Sequence, residues 1–221
     1  PVNPVLFGDV GTPVRKTGAA ASMSTTAAAI TIPATSSKKI LGVWMAISRA
    51  GGLTIANTDS ITVKDNGVGL TRLPGAEINL TGNLGSIHFF YALDPAAGAH
   101  SNIIGNVSDT AIWADAIILY PVWYDNVASI GNVVTSGGGA AAALNLSVPV
   151  AHTTSMVAAG IVAATSPTGF TKTARGSIQG ASVGGNGDFL LIGDGQGATP
   201  QVFAAASVVH VAAGIELRAA S

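Results

Sequence analysis

Short runs rich in Val, Ile, Leu and aromatics recur along this chain, and each is broken by a cluster of Gly, Asn, Asp or Pro before it reaches helical length. That rhythm constrains the fold more than any other feature, because closely spaced strands joined by tight turns build sandwiches and barrels. The runs lie at residues 38–48 (KKILGVWMAIS), 60–65 (SITVKD), 86–93 (SIHFFYAL), 100–108 (HSNIIGNVS) and 110–124 (TAIWADAIILYPVWY). They continue at 143–149 (ALNLSVP), 154–165 (TSMVAAGIVAAT), 171–180 (TKTARGSIQG), 187–194 (GDFLLIGD) and 201–218 (QVFAAASVVHVAAGIELR). Asn66-Gly67, between SITV and VGLTRL, is the sharpest hairpin signal, since Asn-Gly suits the positive φ angles of a type I′ turn. The expectation is an all-β, antiparallel β-sandwich with at most one or two short helices. Alanine runs at 27–29, 140–143 and 204–206 favour helix by propensity alone, and GGGAAAALNL is the best place for one.

Two segments stand apart. Residues 1–25 carry Pro1, Pro4, Pro13 and several glycines among isolated apolar residues, which predicts an extended arm. Val5, Phe7, Val10 and Val14 are its candidate contact residues. Residues 126–143, NVASIGNVVTSGGGAAAA, predict a joint or long loop within a single sandwich spanning 26–221.

Composition narrows the function. Charged residues are 10% of the 221, against about 25% in an average chain, while hydrophobic residues reach 48% and the net charge is −1. No basic patch is available to neutralise phosphate, so nucleic acid is not an expected partner. With no cysteine there is no disulfide framework or thiolate metal site. No secretory signal is visible in PVNPVLFGDVG, and the longest apolar stretch, residues 202–215, is shorter than the ~20 residues of a membrane helix. A chain made in the cytoplasm follows as the expectation, with no membrane partner.

Catalytic patterns are sparse. IHFFYALDPAAGAHSNIIGNVSD (87–109) offers Asp94 and His100 as an acid–base pair, but Asp-Pro followed by Gly98 reads more simply as a hairpin connection, with Asp94 pushed toward extended backbone by the proline. His88, His100, His152 and His210 lie in no metal-ligand spacing. No GxSxG elbow or phosphate-binding glycine loop occurs. Asp188 and Asp194, in GGNGDFLLIGDGQG, suit turns better than calcium. Trp44, Trp113, Trp123 and Tyr124 offer aromatic surface, and Trp123 with Tyr124 forms the candidate platform for stacking on a sugar. No catalytic, cofactor or metal residue is assigned.

The order of these segments resembles that of jelly-roll-like structural proteins of tailed-bacteriophage virions, among them capsid decoration proteins and minor tail proteins. It runs from the arm through SKKILGVWMAIS, SITVKDNGVGLTRL, HFFYALDPAAGAHSNIIGNVSD and IWADAIILYPVWYDN to a small-residue second half ending in GIELR. The resemblance covers most of 36–218 and is one of style and order, so it carries over no site residues. It implies a non-enzymatic virion subunit that cements the phage head, bound to the major capsid protein or other virion subunits as a homo-oligomer, a trimer for preference. A minor tail or carbohydrate-binding module is the alternative it leaves.

Overall fold

KILGVWMAISR has no polar residue between Lys39 and Ser48, so a strand made of it has two apolar faces and needs a layer on each. The computed structural model, which describes residues 26–34, 38–49, 60–79, 86–108, 115–163, 179–181, 188–196 and 200–219, supplies both layers. Its strands are β1 (Thr26–Ile32), β2 (Lys39–Arg49), β3 (Ser60–Asp65), β4 (Val68–Gly69), β5 (Thr71–Arg72), β6 (Ile78–Asn79) and β7 (Ser86–Leu93). They continue as β8 (Gly98–Ser108), β9 (Asp115–Asp125), β10 (Val127–Val148), β11 (Met156–Ala163), β12 (Gln179–Ala181), β13 (Asp188–Gln196) and β14 (Gln201–Ala219). Among the described residues there is no helix, and every ladder is antiparallel.

Three sheets stack. The first has the order β1-β8-β3-β4, the second β5-β7-β2-β9 with β6 also on β7, and the third β10-β14-β11-β13-β12. β1 pairs with β8 in one sheet while β2 pairs with β7 in the next, the winding of a long hairpin rolled into a jelly-roll-like sandwich. The second sheet is the middle layer. Leu41, Val43, Met45 and Ile47 of β2 face the first sheet with Ile30, Val63 and Ile103, whereas Ile40, Trp44 and Ala46 face the third with Ala158, Val211 and Ile215.

The third sheet folds over on itself. The β10–β14 ladder shifts register between Gly138 and Ala142, and its distal part, Leu144–Val148 with Ala205–Gln201, lies back across the outer face of the proximal part. Leu144, Leu146, Val148 and Phe203 there cover Val157, Ala159, Ile161 and Ala212, so β11 is buried along its whole length. Gly214 sits beneath Val148 and Leu146, where a Cβ would overlap the valine.

Close approach is tightest at Gly160. A Cβ there would stand 2.5 Å from Trp44 Cε3 and 2.7 Å from Ile87 Cδ1. Trp44 is fully buried against Phe89, with ring centroids 4.7 Å apart, and has nowhere to retreat. Gly160→Ala is therefore expected to cost about 1–3 kcal/mol, read as a lower urea midpoint with an unchanged slope.

Asn66 and Gly67 have φ angles of 47° and 87° and join β3 to β4 in the two-residue turn expected. GGGAAAALNL is strand, and the stretch expected as a joint, 126–143, is the bend at Asn126 followed by most of β10. Residues 27–29 are likewise strand, in β1. Alanine's helix preference is worth only a few tenths of a kcal/mol per residue, and a ladder partner on β14 or β8 outweighs it. The arm, residues 1–25, lies outside the described residues.

Candidate functional site

The segment 94–97 is not a hairpin. β7 belongs to the middle sheet and β8 to the first, so the chain crosses between layers here. Asp94 takes a φ of 50° rather than the extended backbone its proline favours, and Gly98 takes 128°. The crossing has to reverse the chain within a few residues, and Asp is among the side chains that tolerate the left-handed region. The Asp94 amide donates to Lys39 O at 2.6 Å, and its carboxylate stands 4.0 Å from Lys39 Nζ, more than half exposed.

His100 does not meet Asp94. Its ring is buried, with Nε2–H donating to Ala96 O at 3.0 Å and Nδ1 2.5 Å from Asp65 Oδ2. This strap ties the crossing to the end of β3, beside the Asn66 turn, whose amide donates to Asn102 O. The loops of this end are braced from within. Neither Asp94 nor His100 is left with a partner for acid–base chemistry between them.

A second constellation has the composition of a hydrolytic triad. Ser86 Oγ lies 2.7 Å from His88 Nε2, and Glu77 Oε2 lies 3.9 Å from Nδ1. Its proton arrangement is opposite to that of a triad. Arg72 Nη2 lies 3.2 Å from Nδ1, and a guanidinium only donates, so Nδ1 accepts and the ring proton sits on Nε2. Nε2–H then donates to Ser86 Oγ, whereas a general base has to accept the serine proton there. Burial, with the Arg72 charge second, pushes His88 down to about 3, which fixes the ring as neutral. Arg72 is held in turn by an ion pair with Glu77. Ser86 is fully buried. The cluster pins β5 and β7 together and offers no nucleophile.

A heavily bonded polar group is Glu216, on β14 at the outer face of the third sheet. Its side chain is fully buried. Oε1 accepts from Ala151 N–H at 2.6 Å and Ser155 Oγ–H at 2.8 Å. Oε2 accepts from Asn132 N–H and Nδ2–H, both at 3.1 Å, and from Arg218 at 3.3 Å. Burial alone would raise this carboxyl, but the two backbone amides, the Ser155 hydroxyl and the Arg218 charge together hold it below its ordinary value. One side chain thereby joins β10, the 149–155 connection and β14.

Trp123 and Tyr124 do not form an exposed platform. Successive strand residues point to opposite faces, and Trp123 packs between the first and middle sheets while Tyr124 packs between the middle and third. Their exposures are 5% and 0%. Tyr124 Oη–H donates to Asp194 Oδ1 at 2.7 Å, a bond across two layers. Asp194 and Asp188 lie within β13 rather than in turns. Tyr124→Phe is expected to lose about 1–2 kcal/mol of stability, measured by denaturant unfolding, with the fold retained. Trp44 is interior, His152 is exposed beside the 152–155 turn, and His210 is buried. Val5, Phe7, Val10, Val14 and Trp113 lie outside the described residues.

Sequence reasoning did not single out Asp65, Arg72, Glu77 or Glu216. The only available hint was a lone charge inside an apolar run, as in GIELR, because a charge is rarely buried without partners. Among the described residues, no three His, Asp or Glu side chains converge as a metal site. No family model, curated protein or solved structure matches the chain.

Proposed function

We propose that this chain is a non-enzymatic structural subunit of a tailed-phage virion, a decoration subunit that cements the head by binding the major capsid protein as a homo-oligomer, preferably a trimer. The resemblance stated above supplies the virion and the capsid. What supports a structural role is that four buried ionisable groups serve the fold itself: Glu216, His88, His100 and Asp194 all hold strands or loops to one another. The remaining surface is poor in charge, and such a surface associates without desolvating many ions. Contact between copies or with a capsid would then rest on buried apolar and backbone area at roughly 25 cal/mol per Å², less the cost of association. Trp123 and Tyr124 are interior and offer no face for stacking on a sugar.

Light scattering on the eluting peak of a size-exclusion column tests the reading. A closed oligomer of the 21.8 kDa chain is expected. A monomer that also fails to sediment with emptied phage heads would overturn it.

A further inference from the structure

The third sheet ends in an unusual edge. Among the described residues β10 is the longest strand, 22 residues, and pairs on one side only, with β14. Exposed edges are ordinarily guarded by lysine, proline, inward charge or brevity. β9 carries Asp115, Pro121 and Asp125, and β4, β5, β6 and β12 are two or three residues long. β10 contains no charged residue and no proline between Val127 and Val148. Register shifts interrupt it, but Leu144–Val148 runs in unbroken register with Ala205–Gln201. Only β1, the strand into which residues 1–25 lead, is a comparably long uncharged edge among the described elements.

The apolar layer beneath that run is also unfinished. Leu144, Leu146 and Val148 are buried, yet Val134 and Val150, packed against the same cluster, are only partly so. Both unfinished residues belong to β10 or follow it directly. Backbone hydrogen-bonding capacity and incomplete apolar cover thus coincide along one edge.

The chain contains a segment that suits this edge. Between Pro4 and Pro13 lie eight residues without proline, VLFGDVGT; in a strand Val5 and Phe7 would share a face, with Asp9 following them at its end. Residues 13–25 span up to ~45 Å when extended. The described chain begins in the first sheet, and the middle sheet separates that layer from β10. A subunit's own arm would therefore have to round the sandwich to reach its β10 edge, whereas the arm of a neighbouring copy needs no such detour.

We infer that residues 5–12 of one copy add as a strand to the open edge of β10 at Leu144–Val148 in a neighbouring copy, with Val5 and Phe7 extending the third apolar cluster over Val134 and Val150. This rests on the assembly reading above and names where the copies join. Backbone pairing supplies the attachment and the two side chains supply register.

Hydrogen exchange read by mass spectrometry, on the full chain and on a variant lacking residues 1–20, tests it alongside light scattering. The expected result is an oligomer in which amides of 144–148 exchange at least about tenfold more slowly than in the truncated chain. Val5→Asp with Phe7→Asp should reproduce the truncation at full length, and exchange in β11 should stay unchanged as the control for folding. An oligomer whose 144–148 exchange is indifferent to truncation would overturn the inference and leave the assembly reading standing. A monomer whose 144–148 amides lose protection on truncation would mean the arm pairs within its own chain, overturning the exchange between copies. A monomer with no change would sink both.

Discussion

Glu216→Ala is expected to cost about 3 kcal/mol of folding stability, a large part of what a domain has. Truncation leaves the buried Ser155 hydroxyl without its acceptor, at about 1–3 kcal/mol, and the less buried Asn132 and Ala151 amides at less than that. These penalties do not simply add, because water admitted by the missing side chain satisfies part of the set. Glu216→Gln separates charge from shape. It keeps one oxygen for the donors but turns an amide N–H₂ toward groups that also donate, so an intermediate loss is expected.

The same carboxylate makes a pH prediction. Its folded pKa lies below the unfolded value, so the stabilisation is complete above the ordinary carboxylate range and is lost as pH falls through the depressed folded pKa. Urea midpoints followed from neutral pH down through and below the ordinary carboxylate range should therefore fall less steeply in Glu216→Gln than in the native chain. Equal slopes would mean the carboxylate is not anchored as described.

The second large effect belongs to His88, and it acts in a different window. The ring is held neutral, with its pKa lowered from 6.5 to about 3. Between these values the unfolded chain binds a proton that the folded chain refuses, so stability falls with falling pH. The full contribution is present above 6.5 and is progressively lost down to about 3. The gap corresponds to roughly 5 kcal/mol if all of it is realised, and even half of that is a large part of a domain's stability. His88→Gln retains an amide that can bond Ser86 and removes the titration. The difference in stability between native and His88→Gln is expected to change with pH chiefly between 6.5 and 3; a constant difference would show that the ring protonates freely in place.

The two groups also explain what could be read from sequence. SITVKD, SIHFFYAL and the closing run from 201 matched their strands closely, because alternation or unbroken apolarity is a local property of the chain. Asn66-Gly67 was legible for the same reason, since its turn type depends on its own φ angles. β1 was missed because TAAAITI opens on residues whose propensity favours helix, and its strand pairing comes from β8, more than sixty residues away in sequence. Asp94 was misjudged because the local preference before proline yields to the need to cross from one sheet to another. Of Glu216 only the charge set between Ile215 and Leu217 was legible, not its role. Its donors come from Asn132, Ala151 and Ser155, and nothing within five residues of GIELR announces them. His88 looked like an ordinary histidine until Arg72 fixed which nitrogen carries the proton.

The folded-over ladder of β10 with β14 imposes an order on synthesis. β10 is complete at Val148, but its partner is not made until Gln201–Ala219 have been translated. At about 5–20 residues per second this leaves a long, uncharged strand without its mate for several seconds on the ribosome. Until β14 emerges, β10 lacks the partner it has in the finished sheet and is open to pairing with another chain, which would lower the yield of folded protein. Slower translation after Val148 should lower that yield, and slower translation before Val127 should not.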